Sequence, residues 1–367
     1  MKFTCDKSII NETVSTVSKA ANASSAVELL KGIKIDAGSV LTMTGSDMEI
    51  SIEREFAADI TEPGSIIIDA RLFADVVRRL PEGNVAIETK DRGEVLISCG
   101  QVKYNLLYLS SDGYPAIQKV QDGMSLKVYS RDIKEMVKNT LFAVSTSDAR
   151  PILTGCKFEV AGSRLSVVAI DGYRLAKRNQ VIPDTGIADA SFVIPGRVLN
   201  ELLKILRDDE TIVELLVSGN AVMFRFDGYC FVSRLLEGEF IDYSRIIPPS
   251  WTTRLNVDVR QLGETIERAA VIINYDDPRI PIALGIADSR LTVDCTTKRG
   301  TLNEGMAADQ EGDNLKIRFS SRFLLDALKA VDAERAYLEF TSDQSPCVVR
   351  PIEGDSFLYM VLPVRPN

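Results

Sequence analysis

The sequence predicts an α+β protein that repeats one domain three times along its 367 residues. A ten-residue pattern recurs at 71–80, 197–206 and 322–331, and successive copies begin 126 and 125 residues apart. Each copy opens with Arg and has apolar residues at offsets 1, 2, 5, 6 and 9, an acid at offset 4 and a base at offset 7. This spacing is typical of an amphipathic helix with one apolar face. A repeat this long indicates repeated architecture.

Two further sequence patterns recur with nearly the same spacing. A second amphipathic helix is predicted at 10–17, 133–141 and 262–270, with spacings of 123 and 129 residues. A strand run begins at Leu41 (LTMTGSD), Leu165 (LSVVAID) and Leu291 (LTVDCTT), with spacings of 124 and 126 residues. Turn-forming and polar residues collect at 119–123 and 248–253. The predicted domains are therefore 1–119, 120–249 and 250–367.

The first third shows the order of elements most clearly. A helix at 8–20 is followed by the strand runs KGIKIDA, SVLTMTG, MEISIER and GSIIIDA. The repeated helix comes next, and the runs NVAIETK, EVLISCG and VKYNLLYL follow it. Alternating apolar and polar residues in these runs predict sheets with one buried face. We expect two helices per domain to pack their apolar faces on the sheets.

Composition argues against several classes of protein. The chain has no His, which excludes every Ser-His or Cys-His nucleophile, and we find no Walker A or GxGxxG motif. Its six Cys are scattered without a CxxC pair, so we expect small buried hydrophobes rather than disulfides, a metal site or a cofactor site. No apolar stretch approaches the roughly 18 to 20 residues that span a bilayer, and the N-terminus lacks signal-peptide order. We expect a soluble cytoplasmic protein without a membrane partner.

The distribution of charge points to nucleic acid although the net charge is −9. The repeated helices and the residue after the second carry the bases Arg71, Arg78, Arg79, Arg197, Lys204, Arg207, Arg322 and Lys329. The first-helix set adds further bases, among them Lys19, Lys134 and Lys138. Two interpretations remain open: a face that binds phosphates, or ordinary solvated faces balanced by acids three or four residues away.

Similar domains in series can form a curved array, which closes when a second copy completes it. If the basic helices line the inner wall, a duplex can pass through and be contacted only at its phosphates. The alternatives are a carboxylate-dependent hydrolase and a repeat scaffold that binds only proteins. The lack of His and of convergent acid pairs argues against the hydrolase, and weak, steeply salt-dependent binding of random duplex DNA would argue against the scaffold.

Specific phrases occur along the whole chain: MKFT at the start, TGSD at 44–47, FAVSTSDARPILTG at 142–155, DGYRLA at 171–176, SRLLEGEFIDY at 233–243 and VLPVR at 361–365. On these phrases the sequence closely resembles the sliding clamp family of bacterial replication, the beta subunit of DNA polymerase III. The resemblance implies the DNA clamp fold, with three similar domains per chain and a head-to-tail homodimer that forms a closed six-domain ring. It also implies a non-catalytic processivity factor of the bacterial nucleoid and replisome, without cofactor or metal.

The family's partners are implied in the same way: double-stranded DNA bound without sequence specificity, the replicative DNA polymerase, the clamp loader and other proteins with a Gln-Leu-Phe type motif. Such motifs would dock in a pocket between the second and third domains. The matching positions are Leu153, Ile170, Gly172, Tyr173, Arg174, Leu175, Ile241, Arg245, Ile246, Met360, Val361, Leu362, Pro363, Val364 and Arg365. We expect Leu175, Ile246, Met360 and Leu362 to form an apolar floor. Arg174 and Arg365 would hold a peptide carboxylate or carbonyl at the rim. Without the family, strand and tail packing is the better explanation of these residues.

Subunit and DNA contacts follow from the same resemblance. The dimer interface is carried over onto Tyr104 and Leu106, on the last strand of the first domain, and onto Val271 and Ile272, after the first helix of the third. A loop of the same chain could instead cover that edge strand. The DNA-binding set comprises the bases above together with Arg150 and the loop residue Ser24.

Three departures from the family pattern limit the transfer. Ser24 stands where many relatives carry an Arg that touches DNA, so that contact is either missing or supplied by Lys19. Tyr173 replaces a more usual His, and Ile241 replaces a common Pro. We therefore expect the general role to be kept and the fine peptide preference to differ.

Overall fold

The computed structural model describes residues 1–182 and 189–365. Residues 183–188, in the second predicted domain, and 366–367, at the end of the third, lie outside the described residues. The chain divides into two compact units, Met1–Arg131 with Asn200–Leu235 and Asp132–Leu199 with Leu236–Asn367. Both helices of the middle third contain a point where the chain passes from one unit to the other.

The order of elements repeats three times. The first third contains β1 (Lys2–Asp6), α1 (Lys7–Val17), β2 (Gly32–Ala37), β3 (Leu41–Ser46), β4 (Ile50–Phe56), β5 (Asp59–Glu62), β6 (Gly64–Asp69), α2 (Ala70–Arg79), β7 (Asn84–Lys90), β8 (Glu94–Cys99), β9 (Val102–Leu107) and β10 (Leu109–Ser110). The second contains β11 (Met124–Tyr129), α3 (Ser130–Lys138), β12 (Gly155–Ala161), β13 (Arg164–Ile170), β14 (Arg174–Val181), β15 (Ala190–Pro195), α4 (Gly196–Leu203), β16 (Ile212–Ser218), β17 (Ala221–Phe226) and β18 (Tyr229–Arg234). The last contains β19 (Thr253–Asp258), α5 (Val259–Asn274), β20 (Ile282–Ala287), β21 (Arg290–Thr296), β22 (Thr301–Ala307), β23 (Asp309–Gly312), β24 (Leu315–Phe319), α6 (Ser321–Lys329), β25 (Arg335–Phe340), β26 (Cys347–Pro351) and β27 (Phe357–Val361). The predicted α+β class and threefold repeat are confirmed.

Aspartates explain where three of the helices begin. The carboxylates of Asp6, Asp69 and Asp258 each accept a hydrogen bond of 2.7 to 2.8 Å from a backbone N–H in the first turn of α1, α2 and α5. Such a cap satisfies a donor that the helix leaves unpaired and contributes about 1 kcal/mol. The strand that precedes each helix therefore ends in the residue that starts the helix.

Each unit contains one nine-stranded antiparallel sheet and one smaller sheet. In the first unit the orders are β10-β6-β2-β3-β4-β18-β17-β16-β11 and β5-β1-β7-β8-β9. In the second unit they are β15-β12-β13-β14-β27-β26-β25-β19-β23 and β22-β21-β20-β24. Each large sheet is joined across one ladder, β4 with β18 in the first unit and β14 with β27 in the second. We call these ladders the first and second junctions.

The helices bury their apolar faces against the sheets. α1 and α2 contact each other and strands of the first unit, and α5 and α6 do the same in the second. In α2 the buried residues are Ala70, Phe73, Val76 and Val77. The repeated pattern assigned the last three to the apolar face, but it also assigned Leu72, which is 45% exposed. Five of the six Cys are buried, and Cys230 is half-buried. No helix of the described residues combines the length and apolar character that a membrane crossing requires.

Several boundaries differ from the sequence prediction. The helix predicted at 133–141 runs from Ser130 to Lys138, and the helix predicted at 8–20 ends at Val17. The helix predicted at 197–206 ends at Leu203, after which the N–H groups of Lys204 and Ile205 donate to carbonyl oxygens three residues earlier rather than four. The helix predicted at 262–270 continues to Asn274, so Val271 and Ile272 lie inside α5 rather than after it. The run VKYNLLYL forms two strands in two different sheets, β9 and β10. Alternation of apolar residues does not specify which sheet a strand joins.

Candidate functional site

The second junction brings the two segments of the predicted peptide pocket together. β14 pairs with β27 so that Leu175 lies opposite Met360 and Arg174 opposite Val361. Just past β27, the Leu362 N–H donates to the Tyr173 carbonyl oxygen at 2.8 Å. The predicted residues between 170 and 175 and between 360 and 365 are therefore neighbours in the second unit.

An apolar cluster underlies this surface. It includes Leu153, Ile170, Leu175 and Met360, and Ile241 packs against it. The predicted floor is wrong in one respect, because Leu175 and Met360 are 0% and 2% exposed in the middle of the sheet. They support the surface from beneath and contribute almost no area that a peptide could contact.

The accessible apolar surface comes from side chains above that cluster. Tyr173, Ile246 and Leu362 are 63%, 41% and 38% exposed. The Tyr173 ring stacks on Phe323 of α6, with ring centroids 6.0 Å apart. Of the predicted pocket residues, these three keep exposed apolar side chains on which a partner could bury apolar atoms.

Arg174 does not lie at the rim, so that prediction is wrong. It is 6% exposed, its Nε donates to Asp171 at 3.0 Å, and its Nη1 pairs with Asp326 of α6. Its guanidinium also lies 4.6 Å from the centroid of the Phe323 ring. Successive residues of a strand face opposite sides, so the side chain next to Leu175 points toward the helix and not toward the pocket.

The remaining pocket residues surround the exposed apolar surface. Gly172 has φ 93° in the turn before β14, a conformation that favours glycine. Arg245 is exposed and pairs with Asp242 at 2.8 Å. Hydrogen bonds from the Ser244 hydroxyl and the nearby Arg245 lower the pKa of Asp242. Val361 is buried, whereas Pro363 and Val364 are half-buried and Arg365 is exposed. Arg245 and Arg365 are thus the cations available to a peptide.

Sequence reasoning missed several residues that build this site. Phe323 and Asp326 hold Tyr173 and Arg174, and Phe240, Tyr243 and Val348 belong to the apolar cluster. A signal was present for the first two, since they occupy offsets 1 and 4 of the repeated helix. The other three are brought to the site only by long-range strand pairing.

The predicted cations of the repeated helices lie on exposed positions. Arg71, Arg78, Arg79, Arg322 and Lys329 are exposed on α2 and α6, and Arg197 is exposed on α4. Lys204 and Arg207 are exposed just beyond α4. The solvent-facing sides of these helices are therefore basic.

Local acids neutralise some of these cations. Arg78 pairs with Asp75, and Lys204 pairs with Glu201 at 2.7 Å, so offsets 4 and 7 form ion pairs in the first two copies. In the third copy Asp326 pairs with Arg174, and Lys329 pairs with Glu267 at 2.8 Å. Arg207 pairs with Glu12 and Asp227 at 3.5 and 3.1 Å. The interpretation as balanced faces therefore applies to these residues.

Other cations of the predicted DNA-binding set have no such acid. Among the described residues, no ion pair is formed by the following members of the set: Arg71, Arg79, Lys134, Lys138, Arg150 and Arg322. Lys19 is half-buried near Glu201 and Lys204, and its burial lowers its pKa. Ser24 is exposed, and its N–H donates to the Asn22 side chain at 3.0 Å.

Each junction also contains a buried arginine that sequence reasoning missed. At the first junction, Arg54 of β4 pairs with Glu12 at 3.2 Å and donates to Thr13 and to the Tyr229 hydroxyl at 3.1 and 2.7 Å. At the second, Arg178 of β14 makes two hydrogen bonds of 3.0 Å to Asp332.

Arg178 also pairs with Glu135, which occupies the position of Glu12 in the second domain, and its guanidinium lies 5.7 Å from the Phe357 ring centroid. In both junctions one guanidinium therefore joins a strand of one domain to a strand or loop of the next.

The corresponding position in the last third carries the opposite charge. Glu304 of β22 accepts hydrogen bonds from Arg268 and from the Thr265 hydroxyl of α5, at 2.6 to 3.0 Å. The hydrogen bonds from Arg268 hold the pKa of Glu304 below its usual value. Its partners all belong to its own domain.

Two sheet edges are open in positions that correspond to the junctions. β9 ends the five-stranded sheet, and β22 ends the four-stranded sheet. Tyr104 and Leu106 of β9 are half-buried, Val271 of α5 is exposed, and Ile272 is half-buried. An open edge leaves backbone donors and acceptors available to another chain.

Comparison with known proteins relates this architecture to one family. Models of the N-terminal, central and C-terminal domains of the DNA polymerase III beta subunit match residues 1–118, 127–242 and 244–365. Beta sliding clamps of Staphylococcus epidermidis and Staphylococcus aureus are 33% identical over 376 residues, covering 100% of this chain and 99% of each relative.

Solved structures agree with these relatives. The DNA polymerase sliding clamp of Bacillus subtilis superimposes with a TM-score of 0.95 at 32% identity, and a putative DNA polymerase III beta subunit of Eubacterium rectale does so with 0.95 at 30% identity. Both alignments cover 100% of both chains. On fold, length and sequence, the chain therefore belongs to the DNA polymerase III beta subunit family, the beta sliding clamps, which are non-catalytic processivity factors of DNA replication.

Proposed function

We propose that two copies of this chain form a closed head-to-tail ring of six domains, which encircles duplex DNA without sequence specificity and tethers the replicative polymerase. The observation that carries the proposal is the pair of open edges, β9 and β22. Joined to each other across two copies, the five-stranded and four-stranded sheets would make a third nine-stranded sheet like the other two. Each chain has one β9 edge and one β22 edge, so two chains arranged head to tail can pair every β9 with a β22.

The internal junctions supply a register for this contact. Counting from the hairpin turns, β22 corresponds to β4 and β14, and β9 corresponds to β18 and β27. The first junction pairs Ile52 with Phe231, and the second pairs Ala176 with Tyr359. The same register would put Tyr104 opposite Leu302 of the partner subunit.

Burial supports this register. Phe231 and Tyr359, which face the helices at the internal junctions, are both 0% exposed. Tyr104 and Leu302 hold the corresponding positions and remain half-buried. Pairing of the open edges would give each of them the cover that its counterparts already have. The predicted contacts of Leu106, Val271 and Ile272 belong to the same interface.

For DNA, we propose that the exposed basic residues contact phosphates. The cations without an acidic partner among the described residues are the strongest members of the predicted set, because no ion pair must be broken before they meet a phosphate. Arg78, Lys204, Arg207 and Lys329 would contribute less, since each already pairs with a carboxylate. We propose Lys19, next to Lys204, as the substitute for the Arg that Ser24 replaces.

For partner proteins, we propose that the surface of Tyr173, Ile246 and Leu362 receives the apolar residues of a Gln-Leu-Phe type motif. Burial of one such partner side chain is worth about 1.5 to 3 kcal/mol. The exposed Arg245 and Arg365 would hold the peptide's carboxylates or carbonyls. The clamp loader, the polymerase and other clamp-binding proteins would share this surface.

We propose 1–119, 120–249 and 250–367 as the domain boundaries, and the cytoplasm, at the nucleoid and replisome, as the location. The repeated order of elements supports these boundaries, since each interval contains two α-helices and the strands that precede and follow them. The location follows from the proposed work on replicating DNA.

A loading experiment tests encirclement. The chain is loaded on a nicked circular plasmid by a clamp loader, the plasmid is linearised, and retention is measured by gel filtration. We expect release on linearisation, because a ring that holds by topology slides off a free end. Equal retention on circular and linear DNA would contradict the ring. The free protein should have a mass near twice 40.4 kDa.

A further inference from the structure

The first junction repeats the backbone construction of the peptide pocket. In each hairpin turn an aspartate carboxylate accepts hydrogen bonds of 2.8 to 3.1 Å from the N–H groups two and three residues on, Asp47 between β3 and β4 and Asp171 between β13 and β14. The residue after the aspartate has a left-handed φ in both turns, 74° at Met48 and 93° at Gly172. The two turns are therefore equivalent.

Strand pairing extends the match. Ser51 lies opposite Val232 in the first junction as Leu175 lies opposite Met360 in the second. The next strand follows the same rule, with Met223 opposite Val232 and Val348 opposite Met360.

At both junctions the chain at the end of the second strand, β18 or β27, forms a hydrogen bond with the hairpin turn before the first strand, β4 or β14. The Arg234 N–H donates to the Glu49 carbonyl oxygen at 3.3 Å, as the Leu362 N–H donates to that of Tyr173 at 2.8 Å. A groove follows at the first junction, lined by Ser46, Ser51, Pro115, Ala116, Val232 and Arg234 among others.

The side chains of this groove differ from those of the pocket. The apolar pair Ile170 and Leu175 corresponds to Ser46 and Ser51, whose hydroxyls are hydrogen-bonded at 2.7 Å. Leu362, which offers apolar surface at the pocket, corresponds to the exposed Arg234. An apolar partner side chain placed here would desolvate the exposed Arg234 without forming a hydrogen bond to it, and the Ser46 and Ser51 hydroxyls beneath would not give it the aliphatic support that Ile170 and Leu175 give the pocket.

We propose that the first junction is a copy of the peptide pocket that excludes apolar peptides, and that Ser46, Ser51 and Arg234 are the residues that exclude them. The chain then has one peptide site, although it has two junctions of the same construction. This inference rests on the proposed function of the second junction. We expect the first groove to bind a Gln-Leu-Phe peptide at least about 100-fold more weakly than the pocket does.

Titration calorimetry on the full chain with a Gln-Leu-Phe peptide tests the proposal. The parent should bind one peptide per chain. The triple variant Ser46→Ile, Ser51→Leu, Arg234→Leu should bind two peptides per chain. Its melting temperature and the peptide affinity of the pocket should stay unchanged. A parent that binds two peptides, or a folded triple variant that still binds one, overturns the inference.

A second variant keeps the test decisive if the triple variant does not fold. Leu362→Arg gives the pocket an arginine at the position that Arg234 holds in the first groove. It should weaken peptide binding at the pocket at least about tenfold. A Leu362→Arg chain that binds one peptide with parental affinity would place binding elsewhere and overturn the inference. A parent that binds no peptide would refute the pocket itself, which distinguishes failure of the proposed function from failure of this inference.

Discussion

Tyr104→Ala should weaken the dimer by an amount that follows from how far Tyr104 is already buried in the single chain. Tyr104 is half-buried in the single chain, whereas Phe231 and Tyr359 are fully buried at the corresponding positions. The partner subunit would therefore cover only the minor part of Tyr104 that is still exposed, which is worth about 1 kcal/mol at one interface. A closed ring contains the interface twice, so dissociation into two chains should become easier by about 2 kcal/mol. That corresponds to a rise of about 30-fold in the dimer Kd.

Sedimentation equilibrium over a dilution series measures this Kd directly. Val40→Ala is the matched control, since Val40 is an exposed apolar residue in the turn between β2 and β3 and lies on no open edge. We expect the control to change the dimer Kd by less than about threefold. Circular dichroism and thermal unfolding of each variant would establish that the single chain still folds.

The proposed register also predicts the effect of a substitution at Leu302. If Tyr104 contacts Leu302 of the partner subunit, Leu302→Ala should also weaken the dimer. The two substitutions together should then cost less than the sum of their separate effects, because they remove the same interaction. An unchanged Kd for Tyr104→Ala would refute the interface. Full additivity of the two changes would refute the register.

Four further outcomes are expected. Leu362→Ala, or removal of residues 362–367, should weaken a Gln-Leu-Phe peptide at least about tenfold in calorimetry while the dimer persists; unchanged affinity would reject that placement. Arg79→Ala with Arg322→Ala should lower the slope of log binding constant against log salt by about 0.9 for each phosphate that is no longer neutralised, and a parental slope would show that neither residue meets DNA. Arg178→Met should lower the free energy of unfolding by about 2 to 3 kcal/mol in urea, less than a fully buried pair would lose, because Glu135 and Asp332 can rehydrate. Burial raises the pKa of Cys156 to about 12 from 9.0, so the thiol ionises first in the unfolded state and stability should fall as pH rises above about 9; Cys156→Ala should flatten that fall between about pH 9 and 12, and an identical pH slope would contradict it.

Features set by local sequence could be predicted. The repeated spacing of apolar residues located the helices and the strands at 41–46, 165–170 and 291–296, because buried faces impose periods of 3.6 and 2 residues. The same pattern identified the exposed cations of α2 and α6. The end of α4 was missed because the apolar pattern continues past Leu203, to Ile205 and Leu206.

Features set by distant pairing could not be predicted. Arg174 was expected at the rim, but its side chain faces α6, and the strand's orientation is decided by the ladder with β27, far along the chain. Arg54 gave no signal as a junction residue, since Tyr229 lies 175 positions away. Single-sequence patterns indicate which residues are apolar or charged, but they do not indicate which sheet edges meet.

The charge reversal at Glu304 has a mechanical consequence. At both internal junctions, separating the two strands breaks contacts of a buried arginine with the next domain: those of Arg54 with Tyr229 at the first junction, and those of Arg178 with Asp332 and Phe357 at the second. Glu304 makes all its bonds to α5 of its own domain, so parting β22 from a neighbouring chain would break none of them. We therefore expect the interface between subunits to separate at lower force than either junction inside a chain. We also expect Glu304→Arg to slow the separation of the strands at that interface.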